Sequence, residues 1–206
     1  MFSKLIYSSL FLVALLSCNQ NSKTDTSATA STDSTKIVKT ENTVLMGGNP
    51  IKTYSKLPEV GSVAPNFILA DMEMTDQNLD AYKGKFVILN IFPSVDTGVC
   101  SASVRHFNED AAKLPNAVVL CISKDLPFAQ KRFCGAEGIK NVVMLSDYRS
   151  DFGKTYGVEI MDSKMKGLLS RAVVVINPEG KIVYEEQVAD ISKEPNYEAA
   201  MNAVKM

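Results

Sequence analysis

A cysteine at the passage from a buried strand into a helix carries the strongest chemical signal in this chain. Cys100 ends the segment Phe92-Pro93-Ser94-Val95-Asp96-Thr97-Gly98-Val99-Cys100, directly after the continuous apolar run Phe86 to Phe92. A thiol in the first turn of a helix faces unpaired backbone N–H groups and the positive end of the helix dipole, and both favour thiolate over thiol. That is the setting of a nucleophile, although a small structural cysteine packed against a sheet fits the same position. Cys121 stands inside Val118-Val119-Leu120-Cys121-Ile122. Apolar surroundings make a thiol inert, so Cys121 reads as core. His106, the single histidine, lies two turns along the helix from Cys100 and reads as a packed or solvated side chain rather than a base.

The pattern Pro93-x-x-x-Thr97-x-x-Cys100 is the signature of the peroxiredoxins, which this sequence resembles. Within them it is most similar to the thiol peroxidase group of bacterial atypical two-cysteine enzymes. The resemblance rests on Ser94 to Cys100, on Asp125-Leu126-Pro127-Phe128-Ala129-Gln130-Lys131-Arg132-Phe133-Cys134, and on Gly167-Leu168-Leu169-Ser170-Arg171-Ala172-Val173, and it covers Thr43 to the C terminus. Gly98 departs from it, because proline is usual there, and glycine should loosen the turn slightly. The resemblance implies a thioredoxin-like fold and a peroxidatic Cys100 whose thiolate attacks the terminal peroxide oxygen and becomes a sulfenic acid. It implies that Thr97 hydrogen-bonds the sulfur and the incoming peroxide, that Pro93 shields the site from water, and that Arg171 supplies a fixed cation. It makes Cys134 the resolving cysteine, which closes an intrachain disulfide with Cys100. The residues agree with such a partner: Asp125-Leu126-Pro127 opens a helix whose far end carries the thiol, and Gly135 follows as an expected helix stop. Closing that loop of 35 residues is worth about 3.8 kcal/mol of unfolded-chain entropy, which offsets packing lost when the helix end melts to reach its target.

The elements that must position these groups follow from periodicity. Thr43 to Met46 and Ile51 to Tyr54 flank Gly47-Gly48-Asn49-Pro50 and predict an N-terminal β-hairpin. Pro58 to Pro65 is a proline-punctuated loop, and Phe67 to Ala70 a short strand. Lys85 to Phe92 and Ala117 to Ile122 are apolar runs of the kind found in a sheet covered on both faces. Helices are expected from Val99 to Leu114, with Val104, Phe107, Ala111 and Leu114 on one face, and at Pro127 to Cys134, Ser150 to Tyr156 and Tyr197 to Val204. Val142 to Leu145 is a short strand, and Asn177-Pro178-Glu179-Gly180 joins strands Ala172 to Ile176 and Lys181 to Glu186 in a terminal hairpin. Strands alternating with helices give an α/β domain over residues 41–206, with a central mixed β-sheet flanked by helices.

Before this domain the sequence reads as an address. Lys4 precedes the apolar stretch Leu5 to Leu16, too short to span a bilayer as a helix, and Ser17 offers a small-residue cleavage site. Leu15-Leu16-Ser17-Cys18 resembles a bacterial lipobox, so residues 1–17 form a lipoprotein signal peptide and Cys18 becomes the lipidated first residue of a mature chain of 189. From Asn19 to Thr35, nine of 17 residues are Ser or Thr with no large aliphatic or aromatic side chain, which makes residues 18–40 a flexible tether. The reach of the 17-residue tract Asn19 to Thr35 is roughly 20 to 25 Å. An exported protein anchored to a membrane, facing the periplasm or cell exterior, is the expected location.

Lys plus Arg total 22 against 23 for Asp plus Glu, a net charge of -1 in 206 residues, so no electrostatic footprint for nucleic acid exists. Four cysteines are too sparse for a disulfide-dense scaffold, and one histidine excludes a His-cluster metal site. No cofactor motif is evident. A membrane-tethered thiol-disulfide oxidoreductase needs C-x-x-C, and Thr97 breaks that motif at its first cysteine. A soft-metal binding lipoprotein wants clustered cysteines with a histidine, whereas Cys100 and Cys134 are far apart in sequence. The expected substrate is hydrogen peroxide or a small organic hydroperoxide. Export places the reductant, a thioredoxin-like protein, on the same side of the membrane, and the resembling group implies a homodimer.

Overall fold

Runs of β-branched and aliphatic residues build the sheet on which the site stands. The computed structural model describes residues 41–204; the expected signal peptide (residues 1–17), the lipid-acceptor Cys18 and the tether (residues 18–40) lie outside the described residues. In chain order the elements are β1 (Asn42–Met46), β2 (Asn49–Thr53), β3 (Ile68–Asp71), β4 (Asp76–Asn78), a 3-10 turn (Leu79–Tyr82), β5 (Phe86–Ile91), α1 (Gly98–Ala111), β6 (Ala117–Ser123), α2 (Pro127–Glu137), β7 (Val143–Ser146), α3 (Phe152–Thr155), β8 (Ala172–Ile176), β9 (Ile182–Gln187) and α4 (Tyr197–Ala203).

Seven strands form one sheet in the order β4-β3-β7-β6-β5-β8-β9, while β1 and β2 form a separate hairpin. Strands β5, β6 and β7 run parallel, and β3, β4, β8 and β9 pair antiparallel, so the thioredoxin-like sheet is mixed. Alternation of side chains divides the core. Val87, Leu89 and Ile91 of β5 face one layer with Leu120, Ile122 and Val174, against Phe152 and Tyr156. Ile88 and Phe92 face the other layer with Val119, Cys121 and Val173, against Cys100, Val104 and Phe107 of α1, Cys134 of α2, and Ala200 of α4. All three described cysteines therefore share one side of the sheet.

Four local features depart from the sequence expectation. The hairpin turns on two residues rather than four: Gly47 (φ 58) and Gly48 (φ 83) close it, and Met46 pairs directly with Asn49. Consecutive positive φ angles match the twist of paired strands, so Asn49 and Pro50 join β2. Pro50 fits because Leu45, opposite it, sends its N–H away to Ala189 O at 2.7 Å. Gly135 does not stop α2, which runs on to Glu137 and ends at Gly138 (φ 67), whose N–H donates to Cys134 O. Ile139 N–H donates to the same carbonyl at 3.1 Å, and this closure fixes the end one turn later than Gly135. The helix expected from Ser150 to Tyr156 is only Phe152–Thr155, because Asp147 takes the Phe152 and Gly153 N–H groups in the preceding turn. The short β4 and the 3-10 turn carry too few apolar residues to give a periodic signal.

The end of β2 is tied to the domain where Ser55 N–H donates to Gly157 O at 3.1 Å and Tyr54 N–H to Glu159 O at 3.0 Å. Gly157 sits at φ +77, and a Cβ there would lie 2.4 Å from Lys56 O and 2.4 Å from Ser55 Oγ. Positive φ and a backbone clash act together, so Gly157→Ala is expected to cost about 2–4 kcal/mol of stability. Urea unfolding of the variant beside the parent measures it, and equal midpoints would contradict so close an approach.

Candidate active site

β5 leads straight into the segment that carries Cys100. Phe92 N–H donates to Ile122 O at 3.1 Å, which keeps the chain beside β6 past the strand's end, and Pro93 is buried directly after it. Ser94 to Thr97 then form a turn closed by Thr97 N–H to Ser94 O at 3.2 Å. This turn is strapped from the β6–α2 connection by one carboxylate. Asp125 accepts hydrogen bonds from Ser94 Oγ at 2.7 Å, Val95 N at 2.8 Å and Ser123 Oγ at 2.8 Å. The strap thus joins the segment before Cys100 to the start of the helix that carries Cys134.

Thr97, with φ -105 and ψ 141, is the N-cap residue of α1, and Cys100 is the third residue of that helix. No atom lies within 4 Å of a Cβ built on Gly98, so the departure from proline there leaves open space and an accommodating turn. Cys100 is 1% exposed. Arg171 donates from Nη2 to Cys100 Sγ at 3.3 Å. It is also buried, its Nε donates to Ile191 O at 3.0 Å, and its Nη1 has no hydrogen-bond partner among the described residues. Sheet alternation explains the aim: position 171 has the parity of Val173, which faces α1. Thr97, expected on the sulfur, instead has an exposed side chain whose hydroxyl donates to Ser94 O at 3.3 Å, because the turn takes that hydroxyl.

Cys134 lies in the same core layer as Cys100 and is 6% exposed. Only Pro127, Gln130 and Cys134 of α2 are buried, a thin stripe for a helix of 11 residues. Gln130 pins it by donating to Ser123 Oγ at 3.1 Å and Leu145 O at 3.0 Å. Cys121 faces α1 from β6, and the amide of Asn90, its neighbour in register, donates to its sulfur at 3.5 Å. The same amide donates to Ser103 Oγ at 3.4 Å. His106 stacks on Tyr197 with ring centroids 3.8 Å apart, and its Nε2 lies 3.3 Å from Asp110 Oδ2, so it is a packed side chain on the outer part of α1. Among the described residues no three His, Cys, Asp or Glu side chains are grouped to hold a metal ion.

Of the residues singled out in the sequence, the structure brings Arg171 onto Cys100, puts Cys134 in the same core layer and buries Pro93 before the turn; the contacts of Asp125, Asn90 and Gln130 were not anticipated. Asp125 lay inside a quoted motif and signalled only a helix start. Its function as a strap depends on Ser94, 31 residues away.

Comparison with known proteins places the chain in context. A family model described as Redoxin matches residues 59–201. A thiol peroxidase of Mycobacterium tuberculosis is 55% identical over 161 residues, which are 78% of this chain and 97% of that protein. The crystal structure of a peroxiredoxin-like protein from Aquifex aeolicus superposes with a TM-score of 0.76 at 37% identity, covering 80% of this chain and 97% of that one. A thiol peroxidase from Chromobacterium violaceum shares the fold with a TM-score of 0.74 at 23% identity, covering 79% of this chain and 95% of that one.

The thiols differ in how firmly they hold their protons. Burial pushes Cys121 up to about 12, opposed in part by the Asn90 amide, and burial pushes Cys134 up to about 11, from an ordinary 9.0. The folded protein then binds these protons more tightly than the unfolded chain, so stability falls as pH rises from 9 toward 12. Urea unfolding of the reduced protein from pH 8 upward should show this loss, and Cys121→Ala should flatten it. Parallel slopes in parent and variant would contradict the burial effect.

Proposed function

The chain belongs to the redoxin family and catalyses thiol-dependent reduction of peroxides, and from that premise we propose that its cycle runs on Cys100 as attacking thiolate, Arg171 as fixed cation and Cys134 as resolving thiol. The observation that carries this reading is the guanidinium: Nη2 is on Cys100 Sγ at 3.3 Å while Nη1 remains unpartnered among the described residues. The free donor suits a peroxide oxygen drawn up to the sulfur. The Cys100 thiolate attacks the terminal oxygen, the O–O bond breaks, and the departing oxygen takes a proton and leaves as water or an alcohol. Cys100 is left as a sulfenic acid. Pro93, buried beside the turn, keeps water from one side, and Thr97 holds the turn that presents the helix N-terminus.

Resolution needs Cys134 as a thiolate on the same sulfur. In its pocket burial holds the proton on, so the helix end must open and carry Cys134 into water before it ionises. The thin buried stripe of α2 favours such opening. The Cys134 sulfur then attacks the Cys100 sulfenic sulfur, the S–S bond forms and hydroxide leaves as water. A dithiol of a thioredoxin-like protein reduces the disulfide by exchange. Hydrogen peroxide and small organic hydroperoxides fit so enclosed a sulfur. A homodimer accords with the peroxiredoxin resemblance.

Cys100→Ser is expected to abolish turnover, and Cys134→Ser to consume one equivalent of peroxide and stop as the sulfenic acid, read by intact mass and peroxide consumption. Multiple turnovers by Cys100→Ser would sink the assignment. The lipobox-like Leu15-Leu16-Ser17-Cys18 and the polar tract after it support export and a lipid anchor at Cys18. Cys18→Ser should then move the protein from the membrane fraction of the cells to the soluble one, and an unaltered distribution would remove the anchor.

A further inference from the structure

Arg171 touches the sulfur through one nitrogen and is steadied through another, and what steadies it comes from the far end of the chain. Nε donates to Ile191 O, and among the described residues this carbonyl is the one hydrogen-bond acceptor of the guanidinium besides the sulfur. Ile191 lies past the end of β9, in a segment with no place in the seven-stranded sheet. Its backbone is held by β1: Ile191 N–H donates to Leu45 O at 2.8 Å, and Leu45 N–H donates to Ala189 O at 2.7 Å. Its side chain is buried with Val44 and Ile51 of the hairpin and with Ile160.

Between these two backbone contacts stands Asp190. Its carboxylate accepts the N–H groups of Gly47 and Gly48 at 3.0 Å each, the two residues of the hairpin turn, and also Ser192 N at 3.0 Å and Ser192 Oγ at 2.6 Å. We propose that the N-terminal hairpin is a working part of the active site, and that Asp190 is a positioning residue which sets Arg171 against Cys100 through the Ile191 carbonyl. The inference rests on the reading of Cys100 and Arg171 as the reacting pair.

The geometry transmits displacement directly. Asp190 adjoins the residue whose carbonyl fixes Nε, and Nε and Nη2 belong to one rigid plane, so a shift of the carbonyl becomes a shift of the donor on the sulfur. Four hydrogen bonds converge on Asp190, with Ser192 holding its carboxyl well below the usual carboxylate range, and the turn amides adding to this. The clamp is therefore charged and closed throughout the neutral range. The glycines of the turn suit this use. Both sit at positive φ, where their N–H groups point together toward one acceptor.

The test is a double-substitution cycle in the full-length chain, comparing parent, Asp190→Ala, Arg171→Ala and the double variant. Two rates are read: alkylation of reduced Cys100 by iodoacetamide at pH 7, located by peptide mass, and kcat/KM for hydrogen peroxide. Asp190→Ala is expected to lower both by about tenfold, as misplacement of a charged donor does. In the Arg171→Ala background the same change should add nothing further. A merely structural role predicts the opposite sign for alkylation, since loosening the domain exposes a buried thiol and speeds its reaction. Faster alkylation, or an equal loss in both backgrounds, overturns the proposal. If Asp190→Ala does not fold, Asp190→Asn, which keeps one acceptor oxygen, takes its place in the cycle with the same signs expected. A parent that turns over peroxide while both Asp190 variants match it overturns the positioning role alone. A parent without Cys100-dependent turnover overturns the reading beneath it and this inference as well.

Discussion

The site depends on a buried cation placed against a buried sulfur. Arg171 is 1% exposed, and among the described residues no carboxylate pairs with it. Removing a guanidinium from water is costly unless its charge and its donors are answered. Here the answer is spread over the Ile191 carbonyl and the Cys100 sulfur, and the negative form of that sulfur is the one that compensates the charge. The arginine and the cysteine thus justify each other's burial. Sheet, α1 and hairpin are arranged so that two groups 71 residues apart in sequence meet at 3.3 Å.

Three thiols in one core layer have separate fates because each meets a different neighbourhood. Cys100 has a helix N-terminus and a cation. Cys121 has aliphatic packing and a single weak amide contact, and its proton is held up to about 12. The Cys134 proton is held by burial alone, and the helix that carries it has few buried side chains. In the proposed cycle the same residue type serves as attacking group, inert core and movable partner within one layer.

Much of this was legible in the sequence, and for definite reasons. Phe86–Ile91, Ala117–Ser123 and Ala172–Ile176 are apolar over several consecutive residues, which only a strand covered on both faces accommodates. Cys100 was legible because strand, turn and helix follow each other without a gap. What stayed hidden was tertiary. The Asp125 strap and the Asp190 clamp each join a carboxylate to backbone N–H groups distant in the chain, and a lone aspartate in a loop carries no periodic signal. The choice between Gly135 and Gly138 as the end of α2 was also tertiary, since both residues can stop a helix and only one has its N–H over Cys134 O. Thr97 was assigned to the sulfur by resemblance, whereas the turn claims its hydroxyl.

The two halves of the site are held by forces of different kind, and the proposed cycle requires that difference. Arg171 is fixed through a closed web of backbone and carboxylate hydrogen bonds backed by the apolar cluster of Val44, Ile51, Ile160 and Ile191. The helix that carries Cys134 is held by the burial of Pro127, Gln130 and Cys134 itself, and one of Gln130's buried atoms, Oε1, has no partner among the described residues. A charged donor that stabilises a reacting sulfur must not move, because electrostatic stabilisation depends on an orientation already in place. A resolving thiol must move, because in its pocket it keeps its proton. Asp125 lies at the junction of these demands, with one carboxylate on the rigid turn before Cys100 and its backbone at the entrance to the movable helix. In the proposed cycle, an opening of α2 beyond this point would leave the Asp125 contacts to Ser94 and Val95 intact, so that the sulfur keeps its place while its partner approaches.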